Sequence, residues 1–284
     1  MRTSPRFIVS KKARDEIIDG DGPTTITVDM KSGDIIKEVT SQKDMRAKLE
    51  KETPTAGPGL ITPNMELFCK AAADGSALGD CPFTHYIQMV LRYKDLPFKL
   101  TPCAPDTKPE WLVEEYDGQM PCLVDNGEAY TESDEVVAYI EYFYPEPTLS
   151  LKDDPDKMDK AKEVTKGVFG AVAKCVKNLE AANDPDLVSA VMAELKKVDA
   201  HLEATKGPFL TGEQMTLADC SFAPKLYHAS TCLAHFKNTV IPPELESLHK
   251  YMDMIYSHDA FVKSTYPPDI VVWGWNKARG TEAK

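Results

Sequence analysis

The chain has 284 residues, is 42% hydrophobic and 27% charged, and carries a formal net charge of −12. That length supports two ordinary domains with a sizeable core, and the acidic balance argues against nucleic acid as a main partner, because phosphate binding draws on clustered Lys and Arg. No apolar run reaches the ~18–20 residues of a membrane-crossing helix.

Residues 1–14 are basic (Arg2, Arg6, Lys11, Lys12, Arg14) and contain no acid, in the manner of an organelle transit peptide. Asp15, Glu16, Asp19 and Asp21 follow at once, however, and no secretory signal is visible. Residues 24–39 predict a short hairpin, with Thr-Ile-Thr-Val and Ile-Ile-Lys-Glu-Val on either side of a Lys-Ser-Gly-Asp turn. A charged helical stretch over 41–51 and a linker holding Pro54, Gly57, Pro58 and Gly59 complete residues 1–60. This segment reads as a peripheral extension without a catalytic role.

The main body then alternates strands and helices. A strand is predicted over 65–69, a glycine-bearing loop over 74–80, and an amphipathic helix over 81–93, with Phe83, Ile87, Val90 and Leu91 on one face. A second strand falls at 97–101, and Lys108-Pro109-Glu110-Trp111 opens a second helix. Two strands follow across an Asn126-Gly127 turn, a strong hairpin signal, and a helix over 133–144 closes this half. The order β-α-β-α-β-β-α predicts a small mixed sheet covered by helices. Past Pro145 and Pro147 the pattern is helical, over 155–179, 185–205, 217–236 and 245–257. Leu187, Val191, Leu195, Val198 and Leu202 make a core stripe, and Thr216 with Asp219 has the form of a capping box.

The seven cysteines are scattered, with no Cys-x-x-Cys pair, and the six histidines complete no metal-ligand spacing. That excludes a zinc site and fits a reducing compartment better than a disulfide framework. Cys81, in Gly79-Asp80-Cys81-Pro82-Phe83, stands apart because it lies at a helix N-terminus. Unsatisfied N–H groups and the positive dipole end there favour thiolate over thiol. With no neighbouring cysteine to resolve it, this sulfur needs its electrons from a small molecule. Asp80 opposes the thiolate by charge, while Lys70 favours it. Asp80 therefore reads either as a simple N-cap or as a group that binds substrate or moves a proton. Cys122 and Cys220 lie in apolar contexts and read as packing residues. Cys69 reads as core filler or as a secondary oxidation site.

Taken together, Gly79-Asp80-Cys81-Pro82-Phe83, Lys108-Pro109-Glu110-Trp111, Gln119-Met120-Pro121, Thr131-Glu132-Ser133-Asp134 and Ala223-Pro224-Lys225-Leu226-Tyr227-His228 resemble the dehydroascorbate reductases. These are a branch of the glutathione transferase superfamily with chloride-intracellular-channel proteins as cousins, and the resemblance spans residues 66–275. It implies a thioredoxin-like N-terminal domain over 61–146 and an all-α C-terminal domain over 147–284. By the same resemblance Cys81 is the redox nucleophile, and Lys70 and Asp80 orient oxidised ascorbate. Glutathione is held by Lys108 at its glycine end, by Met120 beside a cis Pro121, and by Glu132 and Ser133 at its γ-glutamyl end. Ser133 also stands where it can cap its helix. Tyr227 and His228 either line the substrate mouth or pack helices, and Trp111 packs.

The resemblance further implies glutathione as co-substrate with no bound cofactor, dehydroascorbate as substrate, a monomer, and no stable membrane insertion. The compartment is the cytoplasm or, alternatively, the chloroplast. An omega-like glutathione thioltransferase and a channel-like membrane-interacting protein are the other readings. Thr84-His85-Tyr86 departs from the usual Ser-Gln-Arg of plant relatives, and Glu132 stands in for a common Asp.

Overall fold

The computed structural model describes residues 25–28, 35–38, 62–151 and 154–281. Strands β1 (Thr25–Val28) and β2 (Ile35–Glu38) pair antiparallel, with Thr25 opposite Glu38, as the predicted hairpin requires. The helical stretch and linker expected over 41–60 lie outside the described residues.

Two compact units emerge. One includes Pro105–Gln119; the other comprises Pro63–Ala104 and Met120–Lys284. The first carries the short helix α2 (Glu110–Tyr116), which ends at Asp117 in the left-handed conformation. Here Trp111 packs edge-on against Tyr116, as a packing residue does.

The second unit is built on strands β3 (Met65–Lys70), β4 (Phe98–Cys103), β5 (Cys122–Asp125) and β6 (Glu128–Tyr130). Their order is β4-β3-β5-β6, with β3 and β4 parallel and the other pairs antiparallel. Leu67, on the central strand, sits opposite both Leu100 and Leu123 and is fully buried. The β5–β6 turn places Asn126 at φ 50° and Gly127 at φ 91°, the two positive values that a tight I′ hairpin demands. Its neighbour Asp125 is buried, and accepts hydrogen bonds from Tyr144 Oη at 2.6 Å, Tyr139 Oη at 3.0 Å and the Asn64 amide at 2.9 Å. The carboxylate thereby ties the end of the sheet to helix α3 (Ser133–Phe143).

Between β3 and β4 runs α1 (Pro82–Tyr93), with Pro82 in its first turn, where a missing N–H leaves nothing unsatisfied. It packs against α3 and also against α6 (Leu217–Lys237) and α8 (Asp259–Val262), so its polar side is covered too. Thr84, His85 and Gln88 are consequently buried along with Ile87, Met89, Val90 and Leu91. Just past its end, the buried Lys94 ammonium pairs with Glu141 at 2.7 Å. It also donates to the carbonyls of Tyr144 and Pro147 at 2.9 Å and of Pro145 at 3.3 Å, strapping the connection that leads into the helical half.

That half contains α4 (Pro155–Lys177), α5 (Asp184–Thr205), α6, α7 (Glu246–Ser257), α8 and α9 (Pro268–Arg279). Val191, Leu195, Val198 and Leu202 are buried as the stripe predicts, with Leu187 half-buried at its edge. The capping box at Thr216 is present. Asp219 accepts from the Thr216 amide at 2.8 Å and the Leu210 amide at 2.9 Å, an architectural role. Helices α8 and α9 were not anticipated by the sequence pattern, which ended at 257.

Candidate active site

Strand β3 delivers Lys70 to the end of the sheet, and the following loop folds straight back. The Gly79 amide donates to the Lys70 carbonyl at 2.8 Å, and a Cβ on Gly79 would stand 2.7 Å from the Lys70 and Ala71 carbonyl oxygens. Glycine is therefore what lets Asp80 and Cys81 lie beside Lys70. Cys81 is the N-cap of α1 itself, and its carbonyl accepts the His85 amide at 3.1 Å. It is half-exposed, whereas the other six cysteines are all buried. Burial pushes the Cys69 and Cys122 thiols up to about 12 and holds Cys175, Cys220 and Cys232 above the usual thiol range as well. At neutral pH those sulfurs stay protonated and inert.

Asp80 does not cap the helix. Its carboxylate meets Lys70 Nζ at 2.6 Å, with the Lys70 side chain 38% exposed and that of Asp80 only 11%. The opposing charges of Lys70 and Asp80, both ahead of Cys81 in the sequence, are thus joined into one pair. The outer face of Asp80 is covered by α9, where a Cβ at Gly274 would collide with the carboxylate. On either side of that glycine, the half-exposed Trp273 lays its ring 5.2 Å from Lys70 Nζ, and the buried Trp275 turns inward. Sequence reasoning missed all three residues together with Tyr266. The signals were present in Pro267-Pro268-Asp269, a helix start, and in the small residue between two tryptophans.

The sheet register gathers the remaining candidates of this unit. Phe68 pairs with Cys122, so continuing the antiparallel register sets Met120 opposite Lys70. Leu123 pairs with Tyr130, which in the same way carries Glu132 toward Pro121. The Met120–Pro121 peptide is cis, as the resemblance implied. Glu132 is exposed and Ser133 half-buried. One expectation is corrected here: the N-cap of α3 is Glu132, and Ser133 is its first helical residue with no capping bond from its side chain. Ser133 nevertheless keeps its amide at the dipole-positive end of the helix, where an anion is favoured. Lys108 belongs to the other unit, where its Nζ donates to the Gly118 carbonyl at 2.7 Å.

His228 is buried, not at an open mouth. It bonds Tyr266 Oη through Nε2 at 2.8 Å and accepts from Trp275 Nε1 at 3.0 Å. Tyr227 also packs: its hydroxyl donates to the Tyr266 carbonyl at 2.8 Å. His85, on α1, lies against Phe261 and Tyr266 with ring centroids 4.7 and 5.4 Å away. Burial, reinforced by the neighbouring His228, pushes His85 down to about 3, and burial pushes His228 down to about 4. Both rings are neutral under ordinary conditions. Among the described residues no group of three or more His, Cys, Asp and Glu could hold a metal ion, and no helix is long and apolar enough to cross a membrane.

A half-exposed cysteine at the N-cap of the helix between the first two strands of a four-stranded mixed sheet, followed by an all-helical half, is the arrangement of the glutathione transferase fold. The families described as glutathione S-transferase N-terminal domain and C-terminal domain match residues 77–148 and 178–253, and the chain belongs to the glutathione S-transferase family. Within that family it falls in the dehydroascorbate reductase branch. Glutathione S-transferase DHAR2 of Arabidopsis thaliana is 34% identical over 210 residues, covering 73% of this chain and 95% of the relative. Dehydroascorbate reductase of Chlamydomonas reinhardtii superposes with a TM-score of 0.61 at 28% identity, over 75% of this chain and 97% of that structure. Chloride intracellular channel protein 3 of Homo sapiens is 32% identical over 72% of this chain and 91% of its own length. Two relatives from rice carry the words chloroplastic and cytosolic in their names.

Proposed function

We propose that the protein reduces dehydroascorbate to ascorbate at the expense of glutathione, with Cys81 as its single redox sulfur. The observation that carries this reading is the contrast among the cysteines: six are buried, and the one left half-exposed caps α1 beside the Lys70–Asp80 pair. The Cys81 thiolate attacks oxidised ascorbate. In one route ascorbate leaves as water delivers its oxygen to the sulfur, giving a sulfenic acid; glutathione then condenses with it to a mixed disulfide and releases water. In the other route the first adduct is a thiohemiketal, and glutathione displaces ascorbate from its sulfur directly. Either way a second glutathione attacks the mixed disulfide, frees the Cys81 thiolate and leaves as glutathione disulfide. The sum is one dehydroascorbate and two glutathiones consumed for one ascorbate and one glutathione disulfide.

Lys70 and Asp80 orient the oxidised substrate. Met120 pairs its backbone with the glutathione cysteine, as an added strand would. Glu132 and Ser133 hold the γ-glutamyl end, and Lys108 the glycine carboxylate. Glutathione enters as co-substrate, without a resident cofactor, and the working unit is a monomer. The proposed domain join lies at the Pro145–Pro147 connection, dividing 61–146 from 147–284. The compartment is the cytoplasm, with the chloroplast as the alternative.

Trapping tests the mechanism. After dehydroascorbate and one equivalent of glutathione, mass spectrometry of the full chain should find one glutathionyl group on the Cys81 peptide. An internal disulfide between Cys81 and another cysteine would overturn the single-sulfur scheme. An omega-like thioltransferase would instead deglutathionylate a mixed disulfide faster than it turns over dehydroascorbate. The similarity to a chloride intracellular channel protein favours one further reading, membrane association under oxidation. Against it, α1 carries His85, Gln88 and Arg92. Flotation with liposomes after peroxide treatment should leave the protein unbound.

A further inference from the structure

Trp275, His228 and Tyr266 form a hydrogen-bonded chain in which every proton has one direction. The indole Nε1–H of Trp275 can only donate, and it gives its proton to His228 Nδ1 at 3.0 Å. The hydrogen of the neutral ring therefore sits on Nε2, which donates to Tyr266 Oη at 2.8 Å. With its lone pair engaged, the Tyr266 hydroxyl donates to the Asp80 carbonyl at 3.0 Å. All three side chains are buried, and Tyr266 lies 186 residues beyond Asp80 in the chain. Burial holds His228 neutral down to about pH 4, so the direction persists through the physiological range. A protonated ring would present two N–H donors and collide with the indole N–H.

We propose that this chain is a positioning relay: the C-terminal helix α9, through His228 and Tyr266, fixes the Asp80–Cys81 peptide and with it the direction and reactivity of the redox sulfur. Lys70 grips the Asp80 carboxylate, and Tyr266 grips the carbonyl of the same residue, so Asp80 cannot rotate without breaking one or the other. The pull on that carbonyl also polarises the peptide toward the Cys81 N–H, which places more positive charge beside the sulfur. None of the three relay residues need touch substrate; they act through Asp80 and Cys81.

The inference rests on the reading of Cys81 as the redox nucleophile, but its test does not need dehydroascorbate turnover. Native full-length protein is alkylated with iodoacetamide at neutral pH, and the Cys81 peptide is quantified over time. Tyr266→Phe and Trp275→Phe keep the aromatic packing and remove one donor each. Each should slow Cys81 alkylation by about fivefold, roughly the worth of one hydrogen bond, and lower kcat with the KM for glutathione unchanged. A variant that stays folded and alkylates at the wild-type rate overturns the relay. Should the variants not fold, the 15N shifts of His228 in the wild type decide: an Nε2–H tautomer from pH 6 to 8 is required, and an Nδ1–H tautomer or an imidazolium refutes the chain. Slowed alkylation together with absent dehydroascorbate turnover in the wild type would leave the relay standing and sink the proposed substrate instead.

Discussion

Asp80 puts a negative charge beside a sulfur that reacts as an anion, and Lys70 at 2.6 Å is what makes the arrangement tolerable. The pair sets a positive charge against the negative one next to Cys81, and the proposed function gives that carboxylate the task of orienting dehydroascorbate. Asp80→Asn should therefore lower kcat/KM for dehydroascorbate by about tenfold, a loss of roughly 1.4 kcal/mol of transition-state binding. The rate of Cys81 alkylation should hold or rise. An equal fall in both rates would assign Asp80 to the sulfur alone. A second residue-scale effect concerns His85 and His228, pushed down to about 3 and about 4 inside the fold. In the unfolded chain both titrate near 6.5. The unfolded state then takes up protons first as pH falls, so the stability these rings allow is full above pH ~6.5 and drains on the way to pH 4. For His228 the gap amounts to on the order of 3 kcal/mol. Urea midpoints measured from pH 7 to 4.5 should fall, and less steeply in His85→Leu, which removes one titrating ring. Parallel slopes for the two proteins would contradict this.

At the scale of elements, α1 and α9 divide the work of the site. The first supplies the sulfur at its mouth, and the second covers Asp80 through Gly274. Gly274→Ala forces a Cβ into the Asp80 carboxylate. It should cost about 1–3 kcal/mol of stability by overpacking and depress turnover, and wild-type values for both in thermal melts and assays would show that α9 has room to spare. Lys94 tests the other end of α1. Replacing it with Met strands Glu141 and three carbonyls in the interior, for a loss of about 3–5 kcal/mol in urea unfolding. These elements were not equally legible in the sequence. The α1 mouth could be read from Cys81-Pro82 because capping and N1 proline are local rules. The α9 contribution could not, because Gly274 and Trp275 acquire meaning only from residues far away in the chain. The pattern of 268–279 holds a helix start at Pro268 and a left-handed end at Gly280, but its role lies in what it touches.

For the whole molecule, the alternation of short strands and helices followed by an unbroken helical run was sufficient to predict a small mixed sheet beside an all-α half. The register places Lys70, Met120, Pro121 and Glu132 toward one end of that sheet. The caps of α1 and α3 each fall one residue from expectation, at Cys81 rather than Asp80 and at Glu132 rather than Ser133, because a cap is set by where the backbone turns helical and not by which neighbouring side chain could accept a bond. Polar residues on α1 were the least legible feature. A helix packed against α3, α6 and α8 together buries Thr84, His85 and Gln88 against any amphipathic expectation. The proposed function turns on one sulfur, so one assay tests the account most directly: ascorbate formation from dehydroascorbate and glutathione, followed for the wild type and Cys81→Ser. The wild type should form ascorbate at a rate that depends on glutathione, and Cys81→Ser should fall to the uncatalysed background. Glutathione-dependent ascorbate formation retained in Cys81→Ser would contradict it.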